Sequence, residues 1–458
     1  MENQPVKSTP SSNPRRKVRS KQQIFKEVYL PYIILALVAI VIIGIVVAII
    51  SGGKDPVDPS GNNDQTAQLQ QEAEALLKQA EALALQYDFD GALAALATFQ
   101  GDLEDFPEIE NAINHYTATR HNMVTWTAGQ VPNLSFHVLV EDLKAALADP
   151  TYGQDGNNLY NRNFVTTQEF STILQRLYDD GYVLVKLSDL YNVGNEGYEE
   201  KQLQLPAGKK PLLLTETHCN YYPYMVDPDR DGQPDSAGAG FASKLCWNNG
   251  FYNEMVTSDG NTVTGAFDLV PILENFIQLH PDFSYKGARA ILAFSGYDGV
   301  FGYRITAEDL SDEALQQERS AAAALAQKLR ETGYTIACYT YDNSDYSVKD
   351  PNEIEADILR WQERIAPVLG ATDVLVFARE ADIGTNYQGN KKFNVLYDQG
   401  YRFFLGSAPF LSHEVKENYV RHSRLSVTGS TLQHHSEWFD GIMDTDGLLD
   451  PLRGRVPQ

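Results

Sequence analysis

The chain has 458 residues, of which 43 % are hydrophobic and 21 % charged, and its formal net charge is −24. This is the composition of an ordinary globular protein, and the length leaves room for two or three folded units. The negative charge argues against nucleic acid and anionic membrane surfaces as partners of the main body, whereas it is neutral toward uncharged glycans.

The chain begins with a basic tail and a long apolar segment. Residues 1–27 contain seven Lys and Arg against two Glu, a net charge of +5, so the rest of the chain carries −29. Residues 28–50 carry no charge and are long enough to cross a hydrocarbon core of about 30 Å. We predict a single-pass plasma-membrane anchor, with residues 1–27 in the cytoplasm and the main body outside the cell. The alternative is a cleaved signal peptide with an unusually long apolar core.

A linker and a helical segment follow the apolar stretch. Residues 51–64 are rich in Gly, Pro, Asp and Ser and predict a flexible linker. Residues 65–127 show apolar residues at helical spacing, interrupted by a turn at Tyr87–Gly91, and resemble one tetratricopeptide-like repeat. One repeat cannot bury its own apolar face, so we expect this segment to dock on another surface or on a protein partner. The alternative is a plain helical spacer.

Residues 128–458 alternate strands with helices. Seven apolar strands are predicted at 134–140, 182–187, 211–215, 290–294, 335–341, 374–377 and 402–405. Helices are predicted from Thr166, where Thr166 and Glu169 fit a capping box, and at 269–280, 313–332 and 352–369. Such alternation indicates a parallel sheet, and the fold class we expect is a distorted (β/α)7–8 barrel.

Two segments carry the most specific pattern, because each predicts a buried strand that runs into a polar loop. They are Leu212–Tyr222 (LLLTETHCNYY) and Thr335–Asn343 (TIACYTYDN). With the surrounding segments they resemble the polysaccharide deacetylases, carbohydrate esterase family 4 or NodB-homology proteins. The other segments that carry the resemblance are Phe136–Leu139, Phe164–Phe170, Leu177–Val185, Phe241–Leu245, His280–Ala288 and Gly296–Arg304.

The resemblance implies a Zn-type metal site whose usual residues are replaced here. Members of the family hydrolyse an acetamide with a metal held by an Asp and two His, beside a second Asp that acts as base. Thr217 and His218 stand where the Asp pair is expected, and Tyr339 and Asn343 stand where the two His are expected. A Thr hydroxyl is no carboxylate base, and an unperturbed Tyr is a poor Zn²⁺ ligand. The replacements therefore predict that metal-dependent hydrolysis is lost or strongly reduced.

Two further motif positions are less clear. Arg379 stands where the resemblance places a residue that orients the catalytic carboxylate. The general-acid His of the family has no secure match, although His434 and His435 lie near its place. An alternative is an active peptidoglycan N-deacetylase with a displaced metal site around His218, aided by Asp342. Glu216 could offer a carboxylate, but strand alternation predicts that it faces away from Thr217.

An acidic loop predicts a second kind of metal site. Asp227, Asp229, Asp231 and Asp235 alternate with other residues around Gly232, which resembles the start of a calcium-binding loop. A Glu at the twelfth position of such a loop is missing. The loop therefore predicts a weak extracellular calcium site, and the alternative is a solvated acidic loop without a metal ion.

Aromatic residues near the two specific segments indicate glycan binding. Tyr and Asn side chains suit sugar rings, whose C–H faces are apolar and whose hydroxyls need polar partners. The predicted glycan-binding residues are Tyr221, Tyr222, Tyr339, Tyr341 and Asn343, and Tyr224, Tyr297, Phe301 and Tyr303 lie in neighbouring loops. The alternative is ordinary core packing. Cys219 and Cys338 adjoin the replaced ligand positions, and a disulfide between them is a further hypothesis.

The sequence thus leads to three hypotheses. The first is a membrane-anchored, deacetylase-like protein that binds cell-wall polysaccharide or peptidoglycan with hydrolysis lost or reduced. The second is an active deacetylase that uses the displaced site. The third is a structural surface protein whose helical segment and barrel organise other proteins.

Overall fold

The computed structural model describes residues 61–149, 159–194, 197–225, 240–297 and 299–456. The predicted membrane anchor (28–50) and the acidic loop (227–235) lie outside these ranges. Within the described residues, no helix combines the length and the apolar composition that a membrane span requires.

Three helices precede the barrel, as the apolar spacing predicts. They are α1 (Gly61–Leu85), α2 (Phe89–Leu96) and α3 (Pro107–His121). Helix α1 starts inside the stretch predicted as linker (51–64), because polar residues are tolerated in a first turn. Helix α2 begins where the Asp88 side chain accepts a hydrogen bond from the backbone N–H of Gly91, 3.3 Å away.

The turn between α1 and α2 packs on the amino-terminal end of the barrel. Tyr87 stacks on Tyr285 with ring centroids 6.3 Å apart, and its hydroxyl donates to the carbonyl of Asp282 at 2.7 Å. Lys286 forms an ion pair with Asp88 at 2.8 Å. The helical segment therefore has a docking surface on its own chain.

The barrel contains seven parallel strands, each of which begins at the same end. In chain order they are β2 (Asn133–His137), β7 (Lys210–Thr217), β11 (Ile291–Phe294), β12 (Thr335–Cys338), β13 (Val374–Val376), β14 (Phe403–Ser407) and β16 (Val420–Ser426). The hydrogen-bonded order is β11-β12-β13-β14-β16-β2-β7, and pairing of β7 with β11 closes the ring. The predicted parallel barrel is therefore confirmed, with seven strands.

One of the seven strands differs from the prediction. Strand β16 was not predicted, because Arg421, His422 and Arg424 interrupt its apolar pattern. The predicted strand at 182–187 exists as β3 (Tyr182–Leu184), but it pairs only with the first half of β7 and lies outside the ring. It occupies the space below β11 on the same edge of β7.

Further strands lie outside the seven-stranded ring. Strand β1 (Met123–Trp126) pairs with β6 (Leu203–Pro206), and Leu203 and Leu205 join the apolar cluster inside the barrel. The others are the hairpin β4 (Tyr191–Gly194) and β5 (Gly197–Glu200), the meander β8 (Lys244–Trp247), β9 (Phe251–Val256) and β10 (Thr262–Gly265), and β15 (His413–Val415) beside β16.

Ten helices of the described residues follow the first three. They are α4 (Leu143–Ala148), α5 (Leu159–Asn163), α6 (Thr167–Asp179), α7 (Leu187–Leu190), α8 (Leu269–Leu279), α9 (Asp312–Thr332), α10 (Pro351–Arg364), α11 (Ala366–Leu369), α12 (Lys391–Asp398) and α13 (Gly429–His434). The predicted capping box is confirmed, since Thr166 and Glu169 each accept the other's backbone N–H at the start of α6.

The two faces of the barrel strands carry different side chains. Inward-facing residues such as Ala293, Val376 and Leu405 fill the middle of the barrel with apolar side chains. Outward-facing residues such as Leu214 and Phe294 pack under the helices. The polar residues at the carboxyl ends of the strands are thus the ones left to form a site.

Candidate functional site

The carboxyl ends of the strands surround a cleft of about 830 Å³. Residues from β2, from β16 and from the segments that follow β7, β11, β12 and β13 meet there. Those that concern the site are His137, Arg162, Phe164, His218, Tyr222, Tyr297, Tyr339, Asp342, Asn343, Arg379, Glu380, Ser426, His435 and Trp438. Both segments singled out in the sequence contribute to this cleft.

Two histidines and a threonine form the innermost group. Nδ1 of His137 lies 2.6 Å from Oγ1 of Thr217, and Nδ1 of His218 lies 3.2 Å from the same oxygen. The two Nδ1 atoms are 3.1 Å apart. Thr217 and His137 lie side by side because they are register partners in β7 and β2. His218 turns toward them because its backbone is left-handed, with φ of 65°.

Both imidazoles are neutral at ordinary pH. Burial lowers the pKa of His137 to about 4; the charge of Glu380 opposes this shift and that of Arg424 reinforces it. Burial also lowers the pKa of His218 well below its usual range, and His137 and Arg379 add to the effect. Neutral imidazoles offer one donor and one acceptor nitrogen each, which suits hydrogen bonding to an uncharged group.

The rim of the cleft is built on unusual backbone. Asn343, Arg379 and Glu380 have φ of 50°, 53° and 57°, a backbone region that residues other than glycine seldom occupy. Nε of Arg379 donates to the carbonyl of Asn343 at 2.9 Å, and the Glu380 carboxyl accepts a hydrogen bond from Ser426. Such conformations concentrate at binding and catalytic sites, where the surrounding structure holds them.

The donor set does not fit the metal that the resemblance implies. Catalytic zinc sites use three protein ligands, usually His, Asp or Glu. Among the described residues, no three His, Cys, Asp or Glu side chains converge to hold an ion. Asp342, the suggested replacement ligand, lines the cleft but forms an ion pair with Arg360 at 2.7 Å. His137 and His218 are the two imidazoles of the lining that lie close enough together to share an ion.

Glu216 faces away from the cleft, as strand alternation predicts. Its side chain lies on the outer face of β7 beside Asp268, and both carboxyls are fully buried. Burial raises the pKa of Glu216 well above its usual range, and the negative charge of Asp268 adds to the rise. Asp268 in turn accepts the backbone N–H of Leu139 at 2.8 Å. This carboxyl pair is part of the wall and supplies no base to the cleft.

The five predicted glycan-binding residues divide into two groups. Tyr222, Tyr339 and Asn343 line the cleft. Tyr221 is buried behind the wall, where its hydroxyl accepts a hydrogen bond from Asn253 at 3.2 Å. Tyr341 packs on Gly296, and its hydroxyl accepts from Arg364 at 3.0 Å. Tyr221 and Tyr341 do not line the cleft, because left-handed backbone at Tyr221 (φ of 55°) and Thr340 (φ of 60°) breaks the alternation of side chains that a strand would have.

The cleft also contains residues that the sequence did not single out as site residues. His137 belongs to a motif but was not predicted as a site residue, Glu380 was expected only as a partner of Arg379, and Ser426 and Trp438 were not predicted to line a site. The position of His137 at the end of a strand paired with β7 was the signal that could have found it. Trp438 stacks on His435, with ring centroids 4.7 Å apart and 19° between the planes.

The remaining expectations concern cysteines and the late histidines. Cys219, Cys246 and Cys338 are all buried and free, so the hypothesis of a disulfide between Cys219 and Cys338 is wrong in this structure. Cys219 and Cys338 belong to the apolar cluster under the helices, whereas Cys246 lies on β8. Nε2 of His434 contacts the carbonyl of Val456 at 2.8 Å, whereas His435 faces the cleft.

Comparison with known proteins links this chain to a solved structure. The sequence matches no family profile, and no curated protein matches it. A similar solved structure is the Streptococcus pyogenes deacetylase PplD in complex with acetate. The two chains share 12 % identity with a TM-score of 0.34, over 68 % of this chain and 98 % of that chain. This is a distant link at the level of the fold.

Proposed function

We propose that this protein binds cell-wall glycan in the cleft, is anchored in the plasma membrane by residues 28–50, and has lost or strongly reduced deacetylase activity. The single observation that carries glycan binding is the pairing of aromatic faces with polar groups in one open cleft. Tyr297 is 42 % exposed, and Trp438 is a second aromatic side chain of the lining. Sugar rings stack on such faces, and their hydroxyls bond to neighbouring polar side chains.

The reduced activity is supported by the chemistry of the innermost group. A hydrolase of the type that the sequence resembles needs a carboxylate beside its metal. Thr217 supplies a hydroxyl at that position, and this hydroxyl is already bonded to His137. Glu380, a carboxylate of the lining, accepts a hydrogen bond from Ser426. The group is equipped to hold a polar ligand.

One observation favours a second candidate, an N-deacetylase with a displaced metal site. Two zinc-bound nitrogens with Zn–N bonds of about 2.1 Å lie about 3.4 Å apart in a tetrahedral site. The Nδ1 atoms of His137 and His218 are 3.1 Å apart. This pair could hold an ion if a group of the substrate completed the ligand set.

The glycan proposal predicts that Tyr297→Ala weakens binding about tenfold, because a stacked aromatic ring contributes about 1–2 kcal/mol. The measurement is co-sedimentation of the full chain with insoluble peptidoglycan across a range of glycan concentrations. Trp247→Ala is the matched control, since Trp247 is 41 % exposed but lies on β8, outside the lining of the cleft. Equal retention of the two variants would refute a role for the cleft in glycan binding.

A further inference from the structure

A buried arginine that forms no close ion pair in the described residues lies beneath the cleft. Arg424, on β16, is 2 % exposed. It donates to the carbonyls of Leu405 and Phe377 at 3.3 and 3.1 Å and to the hydroxyl of Ser135 at 2.8 Å, and all three acceptors are neutral. In the described part of the chain no carboxylate forms an ion pair with Arg424. Buried charges in proteins are usually paired.

Two more guanidinium groups line the cleft above Arg424. Neither Arg162 nor Arg379 forms an ion pair with a carboxylate of the described residues, and Arg379 donates to a backbone carbonyl. Buried Nε of Arg162 has no hydrogen-bond partner among those residues. An unpaired donor next to an open cleft is a position that a ligand can satisfy.

The negative groups of the cleft do not balance these three arginines. Asp342 is neutralised by its ion pair with Arg360 at 2.7 Å. Glu380 accepts a hydrogen bond from Ser426, and its negative charge counteracts the lowering of the pKa of Arg424 by burial. The cleft and its floor thus carry three positive charges against one, in a chain whose formal net charge is −24. Field lines concentrate in such a cleft and favour a negatively charged ligand.

We propose that the glycan bound in the cleft carries an oxyanion, and that Arg162 and Arg379 recognise it above the buried Arg424. This inference rests on the proposed glycan binding and narrows its ligand class. Guanidinium groups bind carboxylate and phosphate oxygens through short, charge-assisted hydrogen bonds. The neutral His137 and His218 present nitrogen donors or acceptors to the same space without adding a charge. The oxyanion belongs either to an acidic sugar or to a phosphate ester on the glycan.

The test compares three probes by isothermal titration calorimetry with the full chain. They are a neutral N-acetylglucosamine pentasaccharide, a pentasaccharide of the same length whose alternate sugars carry a lactyl carboxylate, and the neutral probe phosphorylated on one sugar. We expect one anionic probe to bind at least about tenfold tighter than the neutral one, because hydrogen bonds to charged groups are the stronger ones. The better anionic probe identifies the source of the oxyanion. Raising the salt concentration from about 50 to about 500 mM should reduce the difference in affinity between the anionic and the neutral probe.

Variants locate the effect. Arg162→Gln and Arg379→Gln should each reduce the affinity for the anionic probe about tenfold more than the affinity for the neutral probe. Lys328→Gln is the matched control, because it removes the same charge from an exposed position on α9. Equal affinity for the neutral and anionic probes would overturn this inference and leave glycan binding intact. Failure of all three probes to bind would overturn both proposals.

Discussion

Arg453→Met is expected to lower the free energy of unfolding by about 3–5 kcal/mol, because it leaves a buried carboxylate without its partner. Arg453 and Glu169 are both completely buried, and Nη2 and Nε of Arg453 lie 2.6 and 2.8 Å from the Glu169 oxygens. Arg453 also donates to the carbonyls of Asn161 at 2.6 Å and Phe164 at 3.0 Å. It therefore ties the end of the chain to α6 and to the segment that forms one wall of the cleft.

The measurement is urea-induced unfolding of the full chain, followed by tryptophan fluorescence. Lys328→Met is the control, because its ion pair with Glu331 at 2.7 Å is about half exposed and contributes less than about 1 kcal/mol. The double variant Arg453→Met, Glu169→Leu should recover part of the lost free energy of unfolding, since the second substitution removes the unpaired carboxylate. If Arg453→Met unfolds at the same urea concentration as Lys328→Met, Arg453 does not have this structural role.

Asp357→Ala is expected to destabilise the protein by about 3 kcal/mol or more and to weaken glycan binding. Asp357 is 6 % exposed on α10 and accepts four hydrogen bonds from the loop that follows β12. The backbone N–H groups of Tyr341 and Asp342 lie 2.7 and 2.9 Å away, and the hydroxyls of Tyr346 and Ser344 lie 2.6 and 3.2 Å away. Each buried donor left unpaired costs about 1–3 kcal/mol.

The same loop places Tyr339 and Asn343 in the cleft, so its loss of order should appear in both stability and binding. Glu355→Ala serves as the control, because Glu355 is exposed on the same helix and its removal should change stability by less than about 0.5 kcal/mol. Urea unfolding and co-sedimentation with peptidoglycan are compared for the two variants. Wild-type binding by a destabilised Asp357→Ala protein would show that the cleft does not depend on this loop.

The sequence predicted most of the barrel because the burial of its strands is simple. Six ring strands are short apolar runs between amphipathic helices, and the prediction found each of them. Strand β16 was missed because its inward-facing Arg424 satisfies its donors on carbonyls of neighbouring strands. Those carbonyls are tertiary partners that a local pattern does not contain. Strand β3 was placed in the ring because its apolar residues resemble those of ring strands. It pairs only with the first half of β7, and β11 pairs with the second half of the same edge.

The candidate site was predicted in part, and the limits have a physical origin. Motif positions brought Thr217, His218, Tyr339 and Asn343 to the correct end of the barrel. The direction of a side chain in a loop depends on backbone angles such as the positive φ of His218, which the sequence did not reveal. Tyr221 and Tyr341 therefore could not be separated from Tyr222 and Tyr339. Glu380 and Trp438 were missed because their role follows from neighbours distant in sequence.

The central claim is that the cleft holds a wall glycan without hydrolysing it. The most direct test measures the acetate that is released from N-acetylated peptidoglycan. The full chain is supplied with Zn²⁺, Ni²⁺ or Co²⁺ and incubated with the glycan, and sedimentation shows whether the protein is bound. Since Thr217 offers no carboxylate base, we predict acetate at the level of a protein-free control while the protein stays bound to the glycan. Acetate release well above that level, abolished by His218→Ala, would contradict the claim and establish the displaced metal site.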